Sequence, residues 1–204
     1  MTELFPLEPQ PDKNLLPYDG EVLSFGSILS RTEAVRYEKE LLENISWRPD
    51  EVVMFGKHIT TKREMAWYAD FPLDYTYSNK TRSALPWISV LVDLKNRVQS
   101  ATGDTYNSCL ANLYHDGTEG MGYHSDGESE LQPGGSIASL SFGAERRFIF
   151  KHKKTGEKVQ LMLPAGTLLV MKGATQQHWV HSLPVMRTVK APRINLTFRQ
   201  MLVP

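Results

Sequence analysis

From Tyr106 to its end the chain falls into short apolar stretches that turn-forming residues keep interrupting. These stretches cover 106–114, 137–142, 147–152, 158–163, 167–171, 177–182 and 193–201, with glycine, proline or aspartate in most of the gaps. Each has the length of a strand, and no strand of that length can bury an apolar face alone. A series at this pitch is expected to close into a sandwich or barrel. The segment Lys153-Lys-Thr-Gly156 reads as a hairpin loop within it.

The part before Tyr106 has a different texture. Pro6, Pro9, Pro11 and Pro17 crowd the first 17 residues. Proline has no amide donor and a fixed φ, so residues 1–20 read as an extended, poorly ordered arm. Ser30 is followed three residues later by Glu33, the spacing of a capping box, and predicts a helix to about Asn44. Ala34, Tyr37, Leu41 and Ile45 would form its buried stripe. A second helix is predicted from Trp87 to Ser100, with Pro86 at its start and Ile88, Leu91, Leu94 and Val98 on one side. The expected organisation is one integrated domain over 21–204: a mixed part to residue 104, then a β-rich core over 105–204.

Composition limits the class. With 204 residues and 41% hydrophobic side chains, the chain can build one core and is not disordered. No apolar run approaches the ~20 residues that span a bilayer, so no membrane partner is expected. The first ten residues carry no basic segment followed by an apolar one, so an intracellular site is expected, cytoplasmic in a bacterium or nuclear in a eukaryote. Cys109 is the single cysteine, which excludes an intrachain disulfide and a cysteine-rich zinc site. No heptad pattern argues for a dimer, so a monomer is expected. Formal charge sums to zero but is segregated: residues 1–50 carry 5 basic and 10 acidic side chains, 51–139 carry 7 and 11, and 140–204 carry 11 and 2. The last segment is therefore net +9. Such a field suits a polyanion, or merely balances the other two.

Three clusters carry chemistry. In Gly122-Tyr-His124-Ser-Asp126-Gly, residues two apart on extended backbone share a face, so His124 and Asp126 point the same way. They can supply two of the three ligands of a facial iron triad. His178 and His181 are three apart, so on a strand one of them can reach such a metal, and spacing does not choose between them. His152, in the basic hairpin, reads as solvated. In Arg193-Ile-Asn195-Leu-Thr197-Phe-Arg199, alternation puts Ile194, Leu196 and Phe198 toward a core and the four polar side chains on the other face. Two guanidinium groups on one interior line call for anions, and a dicarboxylate would satisfy both. A wet polar face is the alternative. Asn112 and Tyr114 likewise share a face, and amide and phenol can both hydrogen-bond a carboxylate.

Taken together, Asn112-Leu-Tyr114, His124-Ser-Asp126, His181 and Arg193–Arg199 resemble the AlkB family of Fe(II)- and 2-oxoglutarate-dependent dioxygenases. The spacing of 12 residues from His181 to Arg193 follows the family pattern and, by resemblance, selects His181 as the third ligand. The likeness runs from about Val52 to Met201. It is most evident with the animal homologues that repair alkylated DNA, through Ser139-Leu-Ser-Phe-Gly-Ala144 and His178-Trp-Val-His-Ser-Leu-Pro184. The resemblance implies a double-stranded β-helix, a distorted jelly roll, with flanking helices and a nucleotide-recognition lid within 21–104. It implies Fe(II) on His124, Asp126 and His181. It also implies 2-oxoglutarate against Arg193, Tyr114 and Asn195, with Arg199 near its iron-bound end and Asn112 completing the lining. O2 is the further cosubstrate, and oxidation of an N-alkyl carbon would release aldehyde and the restored base.

For the substrate, the resemblance implies that Tyr75 and Tyr77 contact a flipped base, Tyr77 opposite His124, with Glu128 at the base edge. Cross-strand packing is the other reading of the two tyrosines. Met54 and Phe55, in Val53-Met-Phe-Gly56, match a finger that wedges into duplex DNA, and Arg63 matches a substrate-facing arginine; Phe55 also suits an ordinary core position. Arg146, Arg147, Lys151, Lys153, Lys154 and Lys158 form a basic hairpin suited to phosphates. Two features depart from the duplex-acting branch: Pro184-Val-Met-Arg-Thr188 keeps a single basic residue, Arg187, and Gly127 replaces an acidic one. The expected partner is nucleic acid, DNA before RNA. Dealkylation of DNA bases of the 1-methyladenine or 3-methylcytosine type stands against RNA demethylation and against an inactive reader.

Overall fold

A computed structural model describes residues 9–202 apart from 55–56, 73, 78–79 and 128–129. For 51–54, 57–59, 74–77 and 80–82 only the backbone is considered. In chain order the elements are β1 (Glu21–Ser27), α1 (Arg31–Asn44), β2 (Arg48–Met54), β3 (Lys57–Ala69), β4 (Asp74–Tyr77), β5 (Lys80–Ser83), α2 (Ser89–Thr102), β6 (Ser108–Tyr114), β7 (Met121–His124), β8 (Ile137–Gly143), β9 (Arg146–His152), β10 (Lys158–Leu163), β11 (Thr167–Lys172), α3 (Thr175–His178), β12 (Trp179–Leu183) and β13 (Arg193–Arg199).

The strands form an antiparallel seven-stranded sheet, β1-β11-β8-β13-β6-β3-β2, facing a four-stranded sheet, β10-β9-β12-β7. This is the expected distorted jelly roll. The hairpin β4-β5 stands apart. The central strands of the larger sheet, β6, β8, β11 and β13, are buried on both sides. Its outer face carries Ile194, Leu196, Phe198, Leu140 and Phe142, on which α1 and α2 lay Tyr37, Leu41, Leu91, Leu94 and Val98. Its inner face meets Phe148, Phe150, Leu163, Trp179 and Leu183 of the smaller sheet. A strand buried on both faces has no solvated side, so β8 is buried from Ile137 to Phe142, with Ser139 and Ser141 on its inner face.

Both predicted helices form. Ser30 Oγ accepts the Glu33 amide and Glu33 returns a bond to the Ser30 amide, completing the capping box. The second helix begins at Ser89, two residues later than predicted, because Trp87 is held outside it by its Nε1–H bond to Asp70 Oδ1, 2.6 Å. Two further expectations are corrected. Residues 10–20 are not a loose arm: Gln10 bridges Ser24, Leu16 is buried, and the Tyr18 carbonyl accepts the Trp179 indole N–H. Nor does residue 104 bound the roll, since β1, β2 and β3 all belong to the larger sheet, with β3 paired to β6 and β1 to β11. A chain-order division misses this because sheet order is set by pairing between distant segments. Among the described residues no helix is long and apolar enough to cross a membrane.

Truncating Leu94, fully buried between α2 and the sheet, leaves a cavity that only partly collapses. Leu94→Ala is expected to lower the unfolding free energy by about 2–5 kcal/mol, and Ser30→Ala by about 1 kcal/mol, in urea titrations at unchanged m. A Leu94→Ala loss below that of Ser30→Ala would contradict this packing.

Candidate active site

In the smaller sheet β7 and β12 are neighbours, and the register sets His181 directly opposite His124. Cross-strand partners project from one face, and the two rings lie 4.3 Å apart. Asp126 follows in the coil after β7, with Oδ1 3.9 Å from His124 Nε2. One ligand atom from each of the three lies within 4.8 Å of the others. His178 ends the single turn α3 and is exposed, so the pairing of β12 settles which histidine joins the cluster. The turn forms because Gly173 adopts φ 56° and Thr175 Oγ1 ties the segment to Glu21 and Lys172; the strand therefore starts at Trp179 rather than Gln177.

The protonation states suit a cation. His124 Nδ1 lies 2.9 Å from the Gly122 carbonyl. A carbonyl only accepts, so Nδ1 carries the proton and Nε2 offers its lone pair. Burial lowers His181 to about 4, against the pull of Asp126, so its imidazole is neutral at pH 7. Burial pushes the Asp126 carboxyl up, but Arg199, His181 and His124 together outweigh it and hold it below the ordinary carboxylate range. Two imidazoles and a carboxylate are the donor set of non-haem Fe(II) sites.

Strand β13 supplies the rest. Arg199 Nη2 binds Asp126 Oδ1 at 2.9 Å. Six residues earlier on the same face, Arg193 is 2% exposed and donates only to neutral groups, Ser141 Oγ at 3.0 Å and Asn195 Oδ1 at 2.9 Å. Its Nε has no partner, and among the described residues no carboxylate lies within salt-bridge range of it. Burial lowers this guanidinium to about 10. A buried cation with a spare donor fits the free carboxylate of a small diacid. Tyr114 is the register partner of Arg193, and Asn112 that of Asn195. With His124, Asp126, His181, Arg199 and Arg63, these residues line one cavity of about 270 Å³.

Several contacts were not legible in the sequence. Arg63 is buried between Asp50 and Asn112, donating to both side chains. Gln176 Oε1 accepts the Asp126 amide at 2.9 Å, while its main-chain carbonyl accepts Lys153 Nζ at 2.8 Å. Phe148 stacks on His181 at 5.4 Å. No local pattern marks Asp50, Gln176 or Phe148, since each acts across strands.

Two expectations fail. Arg146 is not available for phosphate: it is fully buried and donates to the carbonyls of Asp116, Glu119 and Pro184. Along β9 burial alternates, so Arg146 points in and Arg147 out. His152 is not solvated but 2% exposed, packed 4.9 Å from Trp179 and 5.1 Å from Tyr18. With Asp19 and His178 it forms a second His/Asp trio. The Thr155 amide donates to His152 Nδ1, however, which leaves the ring proton on Nε2, 3.3 Å from Asp19, where a metal would need a lone pair. Arg147, Lys153, Lys154 and Lys158 are exposed and Lys151 half-buried. Met54 lies at the end of β2, and Tyr75 and Tyr77 lie on β4 as backbone partners of Arg82 and Lys80. Phe55 and Glu128 fall outside the described residues.

A jelly roll with two histidines and an aspartate beside a buried, anion-seeking arginine defines an iron- and 2-oxoglutarate-dependent oxygenase. The family described as the 2OG-Fe(II) oxygenase superfamily matches residues 21–199. The DNA oxidative demethylase ALKBH2 of Mus musculus is 41% identical over 203 residues, covering 94% of this chain and 85% of the relative. ALKBH2 of Homo sapiens is 41% identical over 196 residues, covering 91% and 75%. The alpha-ketoglutarate-dependent dioxygenase alkB homolog 3 of Homo sapiens is 39% identical over 171 residues, covering 79% and 59%. The chain belongs to the 2OG-Fe(II) oxygenase superfamily, among its AlkB homologues. It is a dioxygenase whose cofactor is Fe(II) and whose cosubstrates are 2-oxoglutarate and O2.

Two outcomes follow for the site. In the metal-free protein His181 contributes stability that is complete above its unfolded pKa of 6.5 and is lost as the pH falls toward about 4. The loss is roughly 3 kcal/mol, and a His181→Asn variant should lack that portion of the pH profile in urea titrations; identical slopes would refute the assignment. Gln176→Ala frees the Asp126 amide and should weaken Co(II) binding, read from its visible spectrum, by about 10–100-fold. An unchanged affinity would mean that Asp126 is held without it.

Proposed function

We propose that this enzyme removes alkyl groups from the ring nitrogens of nucleobases in DNA, as direct reversal of damage, and that His124, Asp126 and His181 hold its iron. The observation that carries the reading is the pairing of a three-ligand centre with a buried arginine lacking an anionic partner, in a chain whose relatives are named DNA oxidative demethylases. When bound, Fe(II), 2-oxoglutarate and O2 together supply oxidation of a C–H bond, with succinate and CO2 as coproducts.

The chain's own residues do the rest. Arg193 takes the distal carboxylate of 2-oxoglutarate, with Tyr114 and Asn195 beside it, and its burial excludes the water that would screen the pair. Arg199 keeps Asp126 ionised and aimed at the centre, and the Gly122 carbonyl fixes the useful tautomer of His124. Asp50, Arg63 and Asn112 form a polar wall of the cavity, and Arg63 faces the substrate. A base must leave the stack to reach this depth, which costs a few kcal/mol and least where alkylation has already broken its pairing. Tyr75, Tyr77 and Glu128 receive it, and Met54 and Phe55 fill the space it leaves. Oxidation of an N-methyl carbon gives an N-hydroxymethyl group; its C–N bond breaks, the ring nitrogen is restored, and formaldehyde departs. Arg147, Lys151, Lys153, Lys154 and Lys158 hold phosphates, a role from which Arg146 is withdrawn. The enzyme works as a monomer inside the cell.

An oligodeoxynucleotide carrying 1-methyladenine or 3-methylcytosine should yield formaldehyde and succinate in equal amounts. Omitting iron or 2-oxoglutarate, or replacing His124 by Ala, should reduce release at least a thousandfold. Turnover that survives any of these omissions refutes the scheme. Release from methylated RNA at a higher kcat/KM than from DNA would move the substrate to RNA.

A further inference from the structure

The smaller sheet has an outer face that takes no part in the oxidation itself, though its cations were assigned to phosphates above. Its strands β7, β9, β10 and β12 contain four arginines and lysines, Arg146, Arg147, Lys151 and Lys158, and no aspartate or glutamate. Arg146 points inward, and alternation leaves the other three on the outside. Lys158 and Lys151 are direct register partners across β10 and β9. Like charges in that position repel, so the sheet carries a standing electrostatic cost that an anion would relieve. Glu157, in the connecting hairpin, is taken by the Tyr18 hydroxyl at 2.6 Å.

One aromatic side chain stands on the same face. Tyr123 precedes His124 on β7, the edge strand of the sheet, so it points out of the roll where His124 points in. It is 44% exposed, among the most exposed large apolar side chains described. The ammonium of Lys151 lies 5.5 Å from the centre of its ring, reaching across the intervening β12. Exposing an aromatic ring to water is unfavourable, and the Lys151 cation is drawn to its π face. A cationic track with an aromatic ring beside it is the arrangement that holds single-stranded nucleic acid, phosphates on the charges and a base on the ring.

We propose that this outer face holds the unpaired strand flanking the lesion, and that Tyr123 stacks a neighbouring nucleobase. The proposal rests on the nucleobase reading above and adds a preference: single strands over duplex. A base inside a duplex already has its stacking partners and gains little from the ring, whereas an unpaired one gains a full contact. The ring is a positioning residue for the strand, since it touches no reacting atom, so its removal acts on KM and not on kcat.

The test uses the iron-loaded enzyme with 2-oxoglutarate and one lesion, 1-methyladenine, in a 15-nucleotide single strand and in its duplex. Tyr123→Ala should raise KM on the single strand about tenfold, with kcat within twofold, and shift the duplex KM less than threefold. Tyr123→Phe should behave as the wild type, because the ring and not the hydroxyl is used. Abasic sites on both sides of the lesion should cost the wild type the same factor and cost Tyr123→Ala nothing further. An unchanged single-strand KM, an equal rise on duplex, or a parallel fall in kcat would overturn the proposal, the last by showing that Tyr123 merely supports His124. If the wild type releases no formaldehyde from any oligonucleotide, the nucleobase reading itself fails and takes this one with it.

Discussion

Two guanidinium groups on one strand, Arg193 buried and Arg199 largely so, govern the interior of this protein. A buried charge without a partner costs several kcal/mol, so a chain that places Arg193 and Arg199 on the inner face of β13 has to meet each of them. Arg199 is met by Asp126. Arg193 is met by a hydroxyl and an amide, both through Nη2, and by the Tyr114 ring 5.8 Å away, with its buried Nε–H unpaired. That asymmetry separates a structural ion pair from a receptor. The first closes without help, and the second keeps a buried donor that a carboxylate would satisfy.

The same pair connects the two sheets. Asp126 sits beyond the edge strand of the smaller sheet and Arg199 at the end of a central strand of the larger one, so their contact spans the mouth of the roll. His124 and His181 are fixed by the ladder within the smaller sheet. The geometry of the centre therefore depends on one hydrogen-bonded register and one inter-sheet ion pair. Gln176 adds a third constraint from a single helical turn, holding the Asp126 amide from the side that the sheets leave open.

The last 65 residues are net +9 in the sequence, and six of their eleven basic side chains fall into three kinds once folded. Arg146 satisfies backbone carbonyls, Arg193 and Arg199 face the cavity, and Arg147, Lys151 and Lys158 face outward. A count of charges cannot make this division. Alternation along each strand makes it, and the consequence is a sheet with a cavity-lining inner side and a cationic outer side separated by one layer of backbone.

What could be read from the sequence alone was what is local. Parity along Arg193–Arg199 follows from the two-residue repeat of extended backbone, and the capping box at Ser30 from a three-residue reach; both appear in the structure, and His124 and Asp126 converge although Asp126 lies in coil past the end of β7. The choice of His181 over His178 required family likeness, because spacing leaves both open. Tertiary structure alone decided which strands are neighbours, and so that His181 faces His124, that Arg146 is sealed under three carbonyls, that His152 is buried under Trp179, and that residues 10–20 pack rather than trail. The physical reason is that pairing and burial are set by contacts between residues far apart in the chain, each stabilised by the sheet as a whole, and such contacts leave no mark on the residues next to them.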